Sequence, residues 1–261
     1  MFRQFGLTAV AAFAATQGAF AQEEPPICTD RPTKANSYCT VPAGAFQIEM
    51  DAYNYTRNTV AGVRSTTALY TNPTIKFGLT DRSDIEVNWA PHVVSKVNPP
   101  GSRQSGVGDL YVRYKHRISK GGAKVGFSLI PFVKIRTAPL GIGNNEWEGG
   151  VAAPISTGLP HGFTLTFGPE LDILSEADGT GRRMNIINLV NVSRTFGKLT
   201  AYAEFWAAND ILEEGSFDQR SVDFAVTYLI APKLQIDAGV NLGVNPNTPD
   251  VQAYAGISYR F

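Results

Sequence analysis

The sequence predicts an all-β protein, an antiparallel up-and-down transmembrane β-barrel of about 12 strands with short periplasmic turns and longer extracellular loops. Three observations predict it. Apolar residues alternate with polar or small ones in segment after segment, with hardly a helical period between them. Tight connections alternate with longer ones along the chain. The first residues have the charged, apolar, small-residue order of an export signal.

That signal comes first. Arg3 is followed by an apolar stretch from Phe5 to Ala15 and by Ala19-Phe20-Ala21, so cleavage is expected after Ala21. The apolar stretch is too short to remain as a bilayer-spanning helix. Residues 1–21 are therefore read as a signal peptide, 22–44 as a periplasmic N-terminal segment and 45–261 as an outer-membrane barrel. Loss of Arg3 leaves 23 − 1 = 22 basic residues against 23 acidic, a net charge of −1, and no basic tract that would attract nucleic acid. No later run of 18 apolar residues exists, which excludes inner-membrane helices.

Cys28 and Cys39 both precede the first strand. In an exported chain they can close a short disulfide loop, worth about 3 kcal/mol in the chain-entropy model. Pro25-Pro26-Ile27 lacks the small residues that lipidation of Cys28 would need, and no histidine or third cysteine stands nearby to complete a metal site.

Twelve strands follow, at about 45–56, 65–78, 84–95, 106–118, 124–136, 147–158, 163–174, 183–195, 198–208, 219–230, 233–243 and 250–261. Each is long enough for a tilted strand to cross a bilayer. The eleventh sets Leu234, Ile236, Ala238, Val240 and Leu242 against Gln235, Asp237, Gly239, Asn241 and Gly243. The seventh, ninth and tenth are as clean; the eighth is the weakest, because Asn188 and Arg194 share the face of Met184, Ile186, Val190 and Val192. "LTDRS", "SKGGA", "LPHG", "FG" and "AP" are tight turns, whereas "SKVNPPGSRQSG", "APLGIGNNE" and "EADGTGRR" read as loops. An even strand count with this asymmetry puts both barrel ends on the short-turn, periplasmic side. Phe46, Phe77, Phe163, Phe196, Tyr228, Tyr259 and Phe261 share the apolar parity near that side, as an interfacial aromatic girdle would. In a soluble sandwich, the competing reading, such rings belong mid-strand in the core.

"TDRPTKANSYCTVPAGAFQIE", "KFGLTDRSDIEV", "SGVGDLYVRYKHRI", "LQIDAGVNLGV" and "YAGISYRF", in this order and spacing, resemble the outer-membrane transporter-like β-barrels of the meta-pathway of phenol degradation family. The resemblance implies a barrel in the cell outer membrane, and the family's name implies aromatic solutes. Tyr259 and Phe261, with alternating apolar residues behind them, also resemble the C-terminal signal read by the barrel-assembly machinery.

If the apolar face meets lipid, the other face lines the lumen. It carries Glu49, Asp51, Lys76, Glu86, Arg113, Lys115, Arg117, Lys134, Arg136, Glu148, Glu170, Asp172, Glu204, Asp237 and Arg260. An isolated charge in lipid costs several kcal/mol, so their shared parity itself argues for a polar interior. Arg113, Lys115, Arg117, Lys134 and Arg136 form a basic ladder that would select small polar or anionic solutes, or would be quenched in a salt-bridged filling. Gly126, Gly150, Gly168, Gly239, Gly243 and Gly256 on the same face leave room for an open path.

Of the three histidines only His92 has inward parity; His116 has lipid-facing parity and His161 lies in a turn. A hydrolase would need a hydroxyl near such a histidine, and no motif marks Ser102 or Ser105. Asp210, Glu213, Glu214 and Asp218 read as a solvated acidic loop before a Ca²⁺ site. The expected protein is thus a non-enzymatic channel passing small solutes by diffusion, with outer-membrane lipid as its surroundings and no cofactor, catalytic residue or metal. An occluded structural or surface-binding barrel is the alternative, ahead of an outer-membrane hydrolase or a soluble periplasmic β-protein.

Overall fold

A computed structural model describes residues 26–176, 179, 181–212 and 215–261. The expected signal peptide and its cleavage point after Ala21 lie outside the described residues, as do Glu213 and Glu214.

Twelve strands cross the barrel. They are β1 (Phe46–Val60), β2 (Val63–Thr80), β3 (Ser83–Trp89 continued by His92–Asn98), β4 (Ser102–Gly106 continued by Leu110–Arg117) and β5 (Val125–Ile135). Then come β6 (Glu148–Ala152 and Ile155–Gly158), β7 (Phe163–Phe167 and Glu170–Ser175), β8 (Arg182–Phe196) and β9 (Leu199–Leu212). The last are β10 (Gly215–Ala231), β11 (Leu234–Gly243) and β12 (Val251–Arg260). Pro91, Pro154 and Pro169 stand at the breaks in β3, β6 and β7, where a residue without an N–H cannot continue the ladder. Each strand pairs antiparallel with its sequence neighbour, and β12 pairs with β1 through Ile48↔Tyr259 and Met50↔Ile257. Pairing of β12 with β1 removes the first and last edges of the wall, the only one-sided segment among the described strands being Ser102–Gly106 beyond it, and the amide of Phe261 is satisfied by the carbonyl of Phe46 at 2.8 Å.

The distribution of side chains is inverted relative to a water-soluble domain. Ile75, Phe205, Phe224, Val226 and Ile236 are 41–50% exposed on the outside, while Glu49, Glu86, Asp223 and Ser258 are at most 2% exposed inside. A continuous apolar belt of this kind is stable only against lipid. The protein is an outer-membrane β-barrel. The periplasmic girdle forms as expected: Phe46 packs on Phe77 at 4.7 Å, Tyr259 on Phe261 at 4.9 Å, and Phe196 and Tyr228 are exposed beside them. The outward Arg194 that weakened the pattern of β8 belongs to this girdle. Its guanidinium lies 5.0 Å from the Phe163 ring and 4.8 Å from Phe196, at the level where a cation still reaches water.

Two features differ from the sequence reading. The β1–β2 connection is no loop: both strands run on above the bilayer and close on Ala61-Gly62, with φ of 49° and 80°, a two-residue hairpin turn. The β3–β4 segment likewise extends as strand to a short turn at residues 99–101, and the longer connections are 136–147 and 244–250. His92, expected to point inward, points outward. The break at Ala90-Pro91 shifts the side-chain parity by one, so His92 pairs with Tyr70 and lies 5.5 Å from its ring on the outer face.

Arginine at Ala238, exposed mid-strand on the lipid face, should destabilise the barrel by about 2–4 kcal/mol. Urea unfolding followed by the shift between folded and boiled forms on a denaturing gel measures it, with Ala238→Val as the neutral control.

Candidate functional site: a plugged lumen

Of residues 22–44, expected in the periplasm, 22–25 lie outside the described residues, and the loop 26–44 enters the barrel from the rim, with Asp30, Arg31, Lys34 and Tyr38 against its inner wall. The amide of Ile27 bonds the carbonyl of Pro232 in the β10–β11 turn at 2.7 Å, and the chain then turns into the lumen. It returns to the same rim, where Thr40 Oγ1 donates to the Asp81 carbonyl at 3.1 Å and the Val41 amide to Asp84 Oδ2 at 2.7 Å. Cys28 and Cys39 are disulfide-bonded across the two limbs, with Cα atoms 6.4 Å apart. The physical reason is visible in the charges: "TDRPTK" carries the counter-ions of the wall.

Arg31 donates from Nε and Nη2 to the two oxygens of Asp237, at 3.0 and 2.6 Å, and from Nη1 to Asp51 at 2.7 Å. Asp30 receives Lys115 at 2.6 Å and also bonds Lys76. Lys76 reaches Glu49 at 2.7 Å, and Lys115 reaches Glu86 at 3.2 Å. Lys34 Nζ bonds Ser221 at 2.6 Å and Asp223 at 3.0 Å under the Trp206 ring, 4.2 Å away. Glu204 accepts the amides of Lys34 and Ala35 at 3.1 and 3.0 Å, and Glu49 those of Asp30 and Arg31 at 3.0 and 3.2 Å. Burial alone would raise the Asp30 carboxyl, but Lys115 and Lys76 outweigh it and hold it below its ordinary value. Burial likewise opposes the charge on Arg31, yet Asp237 and Asp51 raise its pKa. At Lys34 burial wins over Asp223, and the ammonium pKa is lowered.

The lumen-facing residues read from sequence divide into three groups. Glu49, Asp51, Lys76, Lys115, Glu204 and Asp237 are buried against the plug, with Glu86 buried behind Lys76 and Lys115. Arg113, Glu148, Glu170, Asp172 and Lys134 line the extracellular half. There Lys134 bonds Glu148 at 2.7 Å and Asn144 at 2.5 Å, and Asp109 accepts the amides of Thr137 and Ala138, fixing loop 136–147 over the wall. Glu86, Arg113, Phe132, Gly150 and Asp172 are successive register partners along one row. Arg117, Arg136 and Arg260 sit at the ends. Arg117 donates to the Asp81 carbonyl at 2.9 Å, Arg136 to that of Asn145 at 3.4 Å, and Arg260 is buried at the periplasmic end opposite Gln47. The basic ladder is therefore dispersed: Lys115 and Lys134 pair with carboxylates, Arg117 and Arg136 occupy opposite rims, and Arg113 lies 5.9 Å from the Phe132 ring.

The glycines do not leave room either. A Cβ on Gly126 would stand 2.5 Å from the Tyr38 ring, one on Gly256 2.3 Å from Arg31, and one on Gly78 1.9 Å from the Pro42 carbonyl. They are seats for the plug. Gly239 and Gly168 are covered by Tyr254 and Leu189. Space remains on either side of the segment. A cavity of about 310 Å³ lies between it and a wall of Ser156, Thr166, Asn191, Tyr202 and Thr227, and another of about 370 Å³ lies among Asn72, Asn88, Glu170, Ile187 and Trp206. Sequence reasoning missed Asp30, Arg31, Lys34 and Asp84. For the first three the signal was present as three charges in the six residues 29–34, a stretch with no strand of its own. His116 lies outward beside Tyr114, and His161 lies in the β6–β7 turn with φ of 62°.

The family follows from a sequence match: the model described as "Putative MetA-pathway of phenol degradation" matches residues 29–261, from plug to closing strand. The chain belongs to this family. Among solved structures it resembles an outer-membrane channel from Pseudomonas putida F1, with 15% identity over 88% of this chain and 100% of that one, at a TM-score of 0.67. The β domain of the Bordetella autotransporter BrkA gives 10% identity over 84% and 100% of the two chains, at 0.55. The NanC porin gives 10% identity over 81% and 98%, at 0.53. These likenesses establish the barrel fold of the family member. No curated protein matches the chain in sequence.

Asp30→Asn should weaken seating of the plug by about 3–5 kcal/mol, because Lys76 and Lys115 lose their shared counter-ion. Faster hydrogen exchange in residues 26–44, with the barrel still heat-modifiable, is the expected result. Since the Asp30 pKa is lowered on folding, its contribution is complete above the unfolded value of 3.8 and is lost only as pH falls through the lowered one. Exchange protection at pH 5 should therefore match that at pH 7, within the intrinsic rates. Replacing Cys28 and Cys39 with serine should speed exchange in the same residues and leave the barrel assembled.

Proposed function

We propose that the protein is an outer-membrane channel for diffusion of small polar solutes, held closed in this conformation by its own N-terminal segment. One observation carries the reading: the lumen is occupied by a loop anchored at one rim and not packed by side chains of the strands alone. A barrel whose purpose was structural would be expected to pack its interior from the wall, with polar residues bonded strand to strand. Here the wall glycines and carboxylates are matched to a segment that belongs to no strand. The similar Pseudomonas putida protein is described as a channel and the NanC barrel as a porin, which favours the same class.

The inward face also bears on selectivity. Asp84, Asp109 and Asp223 add to its carboxylates, and Lys76, Lys115 and Lys134 are spent in pairs, so an open lumen would prefer cations. This replaces the anion preference that the ladder of basic residues implied. The aromatic solutes implied by the family's name have no comparable support in the wall charges.

Planar-bilayer recording tests the proposal. Wild type should show low conductance with rare openings, and a barrel lacking residues 26–44 should conduct steadily with a reversal potential on the cation side. A silent deletion barrel, correctly folded, would favour the occluded structural alternative.

A further inference from the structure

The place where Arg31 docks has the properties of a binding site in its own right. Asp51 on β1 and Asp237 on β11 are both register partners of Gly256 on β12, so two carboxylates flank a residue with no side chain. The result is a notch in the wall. Its floor is the Gly256 backbone, which an added Cβ would replace with an atom 2.3 Å from the Arg31 Nη2. Tyr254, two residues along the same strand, lies 5.8 Å from the guanidinium carbon, and its ring fits because Gly239 opposite has no Cβ. Asn54 and Asn72 each donate to the second oxygen of Asp51 at 3.3 Å and fix its orientation. The fork of Nε and Nη2 on Asp237, with Nη1 on Asp51, is bidentate recognition of a planar cation.

Every wall of this notch stands on a barrel strand, whereas its occupant belongs to a segment outside the strands. The notch therefore persists when the segment leaves, and its carboxylates then face a confined lumen without a counter-ion. That state is strongly disfavoured unless another cation arrives. The second plug cation repeats the pattern, with Lys34 held by Asp223 beneath the face of Trp206.

Resting on the channel reading, we infer that the notch of Asp51, Asp237, Tyr254 and Gly256 is a recognition site for small organic cations bearing a guanidinium group, and that Arg31 occupies it as an internal stand-in for the solute. Solute and plug then compete for one site. Binding of the solute offsets the loss of Arg31, so arrival of the cargo and withdrawal of the plug are thermodynamically linked.

Two measurements on folded protein in detergent test this without relying on conduction. Methylguanidinium titrated calorimetrically into Arg31→Ala should bind saturably at one site, at least tenfold more tightly than to Arg31→Ala/Asp237→Asn, with tetramethylammonium showing no saturable binding. In wild type, methylguanidinium should speed hydrogen exchange of residues 26–44 at least tenfold relative to tetramethylammonium at equal ionic strength, which covers the case in which Arg31→Ala does not assemble. Absence of saturable binding, equal binding by the double variant, or unchanged exchange in wild type overturns the site. Binding together with a non-conducting deletion barrel would leave the site standing and remove the channel. A conducting deletion barrel with no binding would do the reverse.

Discussion

A charge inside a narrow barrel has nowhere to hide. Water is scarce, the surrounding lipid is of low dielectric, and each carboxylate or ammonium group on the inner face must find its counter-ion within a few ångströms or lose stability. The strands alone do not meet this condition. Asp51 and Asp237 flank a glycine, Asp223 and Glu204 sit on adjacent strands, and Lys76 and Lys115 converge on Glu86. Asp30, Arg31 and Lys34 supply what is missing at each of these three places. The position of the segment in the lumen, the glycine seats and the path of the chain before β1 all follow from that requirement.

Much of the fold was legible because the bilayer imposes a period of two on any strand that crosses it. β9, β11 and β12 announce their faces residue by residue, and the aromatic ring from Phe46 to Phe261 marks where lipid ends. Legibility failed where the backbone leaves the simple ladder. At Ala90-Pro91 one proline shifts the count, and everything beyond it, His92 included, changes side. Above the bilayer, hydrogen bonding in the ladder needs no alternation, so the arms around Ala61-Gly62 looked like loop.

The site was half legible. Parity found six of the charges that meet the plug, because inward charges are forced onto one face. It could not find their partners, which lie in residues with no period at all, and it misread the glycines. A missing side chain has the same appearance in sequence whether it opens a path or receives another residue. Gly126 and Gly256 receive Tyr38 and Arg31, and only the third dimension distinguishes the two cases.

The route of residues 26–44 bears on how the molecule can be assembled. The loop enters beside the β10–β11 turn and leaves beside the β2–β3 turn, so both limbs cross the same rim. Among the described residues, no part of the chain passes through the closed ring of strands to the far side and on. The cylinder can therefore close first and accept the loop afterwards, or close around a loop already cyclised by Cys28 and Cys39. Neither order requires threading, and withdrawal toward the periplasm retraces the path of entry without opening a single strand pair.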